Sequence, residues 1–206
     1  EIMAEQIKAV IWDMGGVILR SEDWAPRQAL AHEFNLTLDD IHSLVFSSDS
    51  GTRATLGEIS EAEHWQNIAR QLRLSPEELK KFQDRFWQGD RLDQELVNFI
   101  RSLKSKFTTG LLSNAWDGAR RVLTKSKPCI DAFHVSVFSC EVGLAKPDPA
   151  IYHYILRLCG IEPHEAIFVD DFIENIQIAN DLGIHGIQFK NAAQAIEEVK
   201  HLLGAY

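Results

Sequence analysis

Cysteine is scarce in this sequence, and its positions exclude two kinds of site. The three cysteines, Cys129, Cys140 and Cys159, are odd in number, have no CxxC spacing and lie in or near apolar stretches. This pattern is typical of buried, reduced thiols and not of a disulfide framework or a thiolate metal site. The eight histidines show no metal-ligand spacing either. We therefore expect a protein of a reducing, cytoplasmic compartment.

Long hydrophobic runs and clusters of basic residues are also missing. No stretch approaches the length that spans a bilayer, and no N-terminal segment combines a charged start with an uninterrupted apolar stretch. Acidic residues outnumber basic ones by 30 to 21, which gives a net charge of −9. No group of lysines or arginines could follow a phosphodiester backbone. These absences argue against membrane and nucleic-acid partners.

The apolar content is sufficient for a folded core. The chain has 206 residues, 45% of them hydrophobic, which suits one domain or one domain with an insertion. Apolar strand candidates recur along the chain, with helical patterns between the later ones, at 8–12, 109–112, 134–138, 166–169 and 186–189. This alternation predicts an α/β fold with a doubly wound, mostly parallel sheet.

Polar residues follow three of these predicted strands at the point where each strand ends. Asp13 follows the apolar run 7–12, Ser113-Asn114 follow the second strand, and Asp170-Asp171 follow the fourth. Open α/β sheets bind ligands at the carboxyl ends of their strands. Each piece alone fits an ordinary turn or cap. Their order along the chain is the specific feature.

A single lysine and a well-marked helix complete the pattern. Lys146 lies in a loop before a helix whose predicted N-cap is Asp148, with a proline at the first helical position. After the acidic pair, Asp171 and Glu174 have the spacing of a capping box. Part of this acidity could therefore serve only as a helix cap, and we assign that role to Asp171 before Asp170.

With these motifs, the chain resembles the haloacid dehalogenase-like hydrolase superfamily over residues 7–190. The four motifs of that family match here as Asp13-Met14-Gly15-Gly16-Val17, Ser113-Asn114, Lys146-Pro147 and Asp170-Asp171. The resemblance implies that Asp13 is the nucleophile that takes up a phosphoryl group. It also implies that Ser113 and Lys146 hold this group and that the acidic pair helps to bind Mg²⁺.

A complete set of ligands follows from the resemblance. The Mg²⁺ site would use the carboxylates of Asp13 and Asp170, the carbonyl oxygen of Gly15, and Asp171 directly or through water. Mg²⁺ prefers such near-octahedral oxygen ligation. The main-chain N–H of Asn114 would join the serine and the lysine at the phosphoryl oxygens. Attack by Asp13 would give an aspartyl phosphate, which water hydrolyses.

Gly15 is a departure from the family pattern. Most members carry a second aspartate at this position, where it acts as general acid and base. Because such help is worth about 10² to 10⁴ in rate, its loss is expected to slow catalysis without abolishing it. The penalty should be smallest for leaving groups that need little protonation, such as an anomeric sugar oxygen or a phenol.

The resulting hypothesis is a Mg²⁺-dependent phosphatase of small phosphorylated metabolites, with sugar phosphates among the candidates, acting as a monomer or homodimer. One alternative is a 2-haloacid dehalogenase-type hydrolase, in which a departing halide needs no proton. Such enzymes need no metal, so Asp170-Asp171 would be unexplained. The other alternative is a catalytically weakened binding protein, although the presence of all four motif residue types speaks against it.

Residues 21–90 contain no strand signal and several helix starts. Ser60 and Ser75 each begin a capping-box pattern, followed by apolar stripes. We therefore predict that residues 21–90 form an inserted helical cap, and that 1–20 and 91–206 form the α/β core. The resemblance implies the same, since one branch of the family carries a helical cap after the first motif. Such a cap would exclude water and select the substrate.

Two further residues are candidates for contact with the substrate. Trp116 follows Ser113-Asn114 closely, whereas the other tryptophans are scattered and suit packing. Arg53 lies in a Gly- and Thr-rich segment of the predicted cap, from which it could reach into the cleft. A solvated loop arginine is the simpler interpretation.

Overall fold

A central parallel sheet organises the structure, a computed structural model that describes residues 6–204. In chain order the strands are β1 (Ala9–Trp12), β2 (Leu19–Ser21), β3 (Asp90–Leu92), β4 (Thr108–Ser113), β5 (Val135–Phe138), β6 (Ala166–Asp170) and β7 (His185–Gln188). Five of them form the sheet, in the order β5-β4-β1-β6-β7, with every pairing parallel. The predicted doubly wound α/β fold is confirmed.

Helices cover both faces of the sheet and form most of the segment between β2 and β3. They are α1 (Ala25–Glu33), α2 (Leu38–His42), α3 (Asp49–Thr55), α4 (Glu61–Leu72), α5 (Pro76–Trp87), α6 (Gln94–Leu103), α7 (Ala119–Arg121), α8 (Ser139–Val142), α9 (Pro149–Cys159), α10 (Ile173–Asp181) and α11 (Ala192–Leu202). Short π-helical turns follow α2 and α7. Between residues 6 and 204, no helix combines the length and the apolar character that crossing a bilayer requires.

The strand β1 consists of four apolar residues, all buried, because helices cover the sheet on both sides. Val10 and Trp12 belong to the core on the face of α6 and α11. Ile11 belongs to the core on the face of α9 and α10. Asp13 is thereby carried at the carboxyl end of the central strand.

The strand order reverses beside β1. The chain runs from β1 to β4 and β5 on one side, and then returns to β6 and β7 on the other side. The carboxyl ends of β1 and β6 therefore lie next to each other where the connections diverge. This position is where open α/β sheets bind their ligands.

Helices α1 to α5 pack around a third core, to which Trp116 also belongs. No residue from 22 to 89 forms a strand, and β2 pairs only with β3, in an antiparallel two-stranded ribbon. Ser60 and Ser75 accept hydrogen bonds from the Glu63 and Glu78 backbones in complete capping boxes. The outermost residues of the predicted core, 1–5 and 205–206, lie outside the described residues.

The cysteines carry no disulfide. Cys129 is buried as expected, whereas Cys140 and Cys159 are only half-buried. Burial raises the pKa of each thiol to about 11. The three side chains are therefore thiols, not thiolates, at neutral pH.

Candidate active site

The carboxyl ends of the central strands bring three of the predicted residues to one edge of the sheet. Trp12 pairs with Leu111 of β4 and with Val169 of β6, so Asp13 and Asp170 end their strands at the same level. The backbone N–H of Asp13 continues the ladder with a bond to the Val169 carbonyl, 2.9 Å long. Ser113 is the last residue of β4 and is 1% exposed.

Lys146 joins the two strand-end aspartates. Its ammonium nitrogen Nζ lies 2.8 Å from Asp13 Oδ1 and 2.6 Å from Asp170 Oδ2. The lysine is buried, although it comes from the loop between α8 and α9. Asp148 caps α9 as predicted, through a hydrogen bond from the Ala150 N–H. The loop lysine is therefore directed back across the carboxyl edge of the sheet.

Asn114 fixes the backbone of this lysine. The Asn114 side-chain nitrogen Nδ2 donates to the Lys146 carbonyl oxygen, and Oδ1 accepts from the Lys146 N–H, both at 2.8 Å. This reciprocal pair ties the loop after β4 to the loop before α9. The Asn114 side chain thus has a structural partner, and its predicted contribution to ligand binding concerns only the main-chain N–H.

Asn175 is a site residue that sequence reasoning missed. Its Nδ2 atom lies 3.0 Å from each carboxylate oxygen of Asp170, and the Phe172 N–H donates to Asp170 Oδ1 at 2.8 Å. Asn175 is buried in the first turn of α10. An amide on the apolar stripe that also carries Ile176 was the available signal, because buried polar side chains need partners.

The predicted capping role of Asp171 is wrong. Helix α10 begins at Ile173 with Phe172 as its N-cap, and no side chain caps it. Asp170 takes the N–H of Phe172 instead. The Asp171 atom Oδ1 is buried and has no hydrogen-bond partner within the described structure. The capping spacing was present, but tertiary packing turned the carboxylate toward the strand ends.

Three carboxylates therefore converge beside the lysine. Asp13, Asp170 and Asp171 each offer one oxygen, and these oxygens all lie within 4.8 Å of one another. Gly16 provides the room, since a Cβ there would lie 2.2 Å from Asp171 Oδ2. Its φ of 78° also lies in the left-handed region that favours glycine.

Burial and like charges perturb this cluster. Burial raises the pKa of Asp13 to about 7; Lys146 opposes the rise, while Asp170 and Asp171 add to it. Burial raises the pKa of Asp171 to about 6, with a contribution from Asp170. Burial alone would lower the pKa of Lys146, but Asp13 and Asp170 outweigh it and the pKa is raised. The single ammonium group of Lys146 therefore lies beside three carboxylates.

This donor set fits a divalent cation. The oxygens come from carboxylates, which suit Mg²⁺, and the unpartnered Asp171 Oδ1 is a polar atom that requires a partner. Gly15, the predicted carbonyl ligand, lies in the turn directly after Asp13 and is exposed. Apart from its chain neighbours, no heavy atom lies within 4 Å of where a Gly15 Cβ would be.

The sequence model of the haloacid dehalogenase-like hydrolases matches residues 7–183. The chain belongs to this family. The resemblance to this family is thereby confirmed.

Two relatives match this chain over different shares of their own length. Bifunctional epoxide hydrolase 2 of Mus musculus is 36% identical over 118 residues, which is 55% of this chain and 21% of that protein. The match thus spans about a fifth of the mouse protein. D-ribitol-5-phosphate phosphatase of Bacteroides thetaiotaomicron is 26% identical over 97% of this chain and 100% of that protein.

A solved structure shows the same fold. It is a family enzyme of Bacteroides thetaiotaomicron in complex with magnesium and inorganic phosphate, with a TM-score of 0.75. The similarity covers 89% of this chain and 94% of that one, at 22% identity.

Arg53 and Trp116, the two residues predicted to contact the substrate of this hydrolase, contact side chains outside the carboxylate cluster. Arg53 is in the last turn of α3, half-exposed, with its Nε atom 3.2 Å from Glu58 Oε2. Trp116 is 8% exposed and belongs to the core formed by α1 to α5. Among the described residues, neither side chain forms a hydrogen bond or ion pair with the carboxylate cluster. Substrate contact by either residue therefore stays a prediction.

Proposed function

We propose that the protein is a Mg²⁺-dependent phosphatase of small phosphorylated metabolites. The observation that carries the proposal is the convergence of Asp13, Asp170 and Asp171 beside Lys146, with one carboxylate oxygen left without a partner. The phosphatase from Bacteroides thetaiotaomicron, which matches along the whole chain, supports it. So does the related structure that contains magnesium and inorganic phosphate.

Asp13 is the proposed nucleophile. Its Oδ1 atom accepts the Met14 N–H at 2.7 Å and faces Lys146 Nζ at 2.8 Å, so two donors fix the orientation of the carboxylate. Fixed orientation favours in-line attack on phosphorus, because the carboxylate does not need to be ordered in the reaction step. A Mg²⁺ ion held by Asp13, Asp170 and Asp171 would neutralise charge on the phosphoryl group and favour the ionised form of these carboxylates.

The proposed reaction has two steps. Asp13 forms a bond to phosphorus, and the bond from phosphorus to the leaving oxygen breaks, which gives an aspartyl phosphate and an alcohol or phenol. Water then attacks this intermediate and regenerates the Asp13 carboxylate and inorganic phosphate. The hydroxyl of Ser113, the N–H of Asn114 and the ammonium of Lys146 would hold the phosphoryl oxygens in both steps.

Gly15 determines the proposed substrate preference. Without a second carboxylic acid there, the leaving oxygen must take its proton from water. Leaving groups of low pKa, such as phenols and anomeric sugar oxygens, depart without this help. We therefore favour phosphorylated sugars that carry the phosphate at the anomeric position.

Helices α1 to α5 would act as the cap of the enzyme. They lie between β2 and β3, soon after the nucleophile motif, and pack around an apolar core that also contains Trp116. In this role they would exclude water from the phosphoryl group and contact the rest of the substrate.

A metabolite screen tests the proposal. Phosphate release would be measured for sugar, alkyl and aryl phosphates, with Mg²⁺ and with a chelator, for the natural protein and for Asp13→Asn. We expect the natural protein to release phosphate only when Mg²⁺ is present. Asp13→Asn should release none, since an amide cannot attack phosphorus. Metal-independent halide release from 2-haloacids would instead identify a dehalogenase. Absence of any turnover with Mg²⁺ would contradict an enzymatic role.

A further inference from the structure

Trp116 comes from the α/β core but is buried among side chains of the helical segment. All other buried members of its cluster lie between Leu30 and Phe86. Its ring centroid is 4.7 Å from that of His64, and the rings of Trp65, Phe46 and Trp87 lie at 5.8, 5.9 and 6.3 Å. The indole is thus enclosed by rings from the π-turn after α2, from α4 and from α5.

The two residues after Trp116 reinforce this attachment. Asp117 Oδ1 accepts the N–H of Glu61, the first residue of α4, at 3.1 Å. At Gly118 a Cβ would lie 2.2 Å from Glu61 Oε2, so the loop and the helix start are in close contact. Three consecutive loop residues therefore hold the helical segment.

Residues 113–115, where the same loop begins, belong to the proposed active site or bond to residues beside it. Asn114 exchanges two hydrogen bonds with the Lys146 backbone, and the Ala115 N–H donates to Ser139 Oγ at 2.9 Å. Ser113, directly before them, is a proposed phosphoryl ligand. Only one residue separates the side chain that fixes Lys146 from the side chain buried in the helical segment.

We propose that Trp116 is a positioning residue, through which the helical segment sets the loop of Ser113 and Asn114 and thereby the backbone of Lys146. A ring enclosed at close-packed density moves with its surroundings, because a gap on any side loses contacts. A shift of the segment is therefore passed to Asn114 and on to the lysine. The consequence for catalysis rests on the proposed function, whereas the mechanical link does not.

Amide hydrogen exchange tests this link without substrate. The N–H groups of Lys146 and Ala115 bond to side chains of Asn114 and Ser139, so their protection reports whether the loop is in place. In Trp116→Ala we expect both amides to exchange at least about tenfold faster than in the natural protein, through local opening of the loop. Trp116→Phe should restore most of the protection, because it keeps an aromatic ring in the cluster.

Phe82→Leu is the matched control. Phe82 is 2% exposed in the same cluster and packs against the rings of Phe34, Trp65 and Phe86, but it belongs to α5 and not to the loop. Among the described residues, its ring forms no pair with that of Trp116, so the change should weaken the cluster without moving the indole, and the Lys146 and Ala115 amides should keep their exchange rates. Equal acceleration in Phe82→Leu and in Trp116→Ala would overturn the proposal and leave Trp116 as a packing residue only.

Kinetics separates this inference from the proposed function. If the protein is a phosphatase, Trp116→Ala should lower kcat more than it raises KM, because Lys146 acts on the transferring group, and Trp116→Phe and Phe82→Leu should not. If Trp116→Ala does not fold, Trp116→Leu, which also lacks the ring, replaces it in both measurements. A protein without phosphatase activity that still shows the exchange difference would refute the function and keep the link. Unchanged exchange in Trp116→Ala, or in Trp116→Leu where that variant replaces it, would refute the link alone.

Discussion

One side-chain nitrogen of Asn175 lies 3.0 Å from each carboxylate oxygen of Asp170. Asp170 is completely buried, and the same carboxylate also faces Lys146. The amide therefore holds the plane of the carboxylate and leaves it oriented toward Asp13 and Asp171. Asn175 on α10 thus determines how the Asp170 carboxylate at the end of β6 would be oriented toward a metal ion.

Asn175→Ala should weaken Mg²⁺ binding about 10- to 100-fold, because a ligand that loses its supporting hydrogen bond is no longer oriented. It should also lower the free energy of unfolding by about 1–3 kcal/mol, since a buried acceptor loses its donor. Calorimetric titration and urea unfolding measure the two effects. The control is Asn180→Ala on the same helix, where the lost partner is the Gly186 N–H. Equal Mg²⁺ affinities in both variants would contradict the role of Asn175.

Gly16→Ala and Gly15→Ala should differ sharply, although the two glycines are adjacent. A Gly16 side chain would meet Asp171 and occupy a left-handed conformation, whereas Gly15 has open space and no positive φ. We expect Gly16→Ala to lose about 1–2 kcal/mol of unfolding free energy from backbone strain. It should also bind Mg²⁺ more weakly. Gly15→Ala should be close to neutral in both measurements, and similar losses in both variants would refute this account.

Gly15→Asp should raise the turnover of alkyl phosphates, with an upper limit of about 10² to 10⁴ from general acid catalysis. A Cβ at Gly15 would meet no heavy atom within 4 Å apart from its chain neighbours, so the new side chain begins in open space. Aryl phosphates should gain less, because a phenolate leaves without a proton. Gly15→Asn has the same shape and no acid, so its kcat for both substrates should stay near that of the natural protein. A gain in the asparagine variant would exclude acid catalysis as the cause.

Asp171→Asn should stabilise the metal-free protein and remove most of its stabilisation by Mg²⁺. The change takes one negative charge out of a buried cluster that has a single ammonium for three carboxylates. In the natural protein, Mg²⁺ at about one hundred times its Kd should add about 2.7 kcal/mol. Thermal unfolding with chelator and with Mg²⁺ measures both effects. A lower Tm for the variant in chelator would contradict the expected charge relief.

His64 should make the helical segment sensitive to acid. The side chain is completely buried, with Nδ1 2.8 Å from Ser50 Oγ and Nε2 2.8 Å from the Val45 carbonyl oxygen. Burial lowers its pKa below the usual histidine value of 6.5. The unfolded chain therefore binds the proton more readily, so this contribution to stability is complete above 6.5 and is lost as the pH falls below it.

Urea unfolding between about pH 7.5 and about pH 5.5 measures this dependence. As the pH falls, the midpoint of the natural protein should fall relative to that of His64→Phe, because Asp13 and Asp171, whose raised pKa values act in the opposite direction, are present in both chains. The exposed His32 provides the control, and His32→Gln should keep the dependence of the natural protein. An identical pH dependence in His64→Phe would show that other groups cause the acid sensitivity.

Local patterns predicted the elements that depend on local contacts. The capping boxes at Ser60 and Ser75 satisfy backbone N–H groups three residues away, so the spacing alone is informative, and both are present. The same rule failed at Asp171, because a buried cluster competes for the carboxylate and Asp170 is better placed to accept the Phe172 N–H. A rule based on sequence spacing does not account for this competition between the helix cap and the buried cluster.

By itself, the sequence determined the fold and the meeting of the motif residues. Apolar strands that end in Asp13, Ser113 and Asp170 must carry these residues to one edge, since parallel strands share their carboxyl edge. Only the tertiary structure decided which side chains support them. Asn175 orients Asp170, Gly16 leaves room for Asp171, and Trp116 packs into the helical segment. These contacts depend on the packing of elements distant in sequence, which periodicity and spacing do not encode.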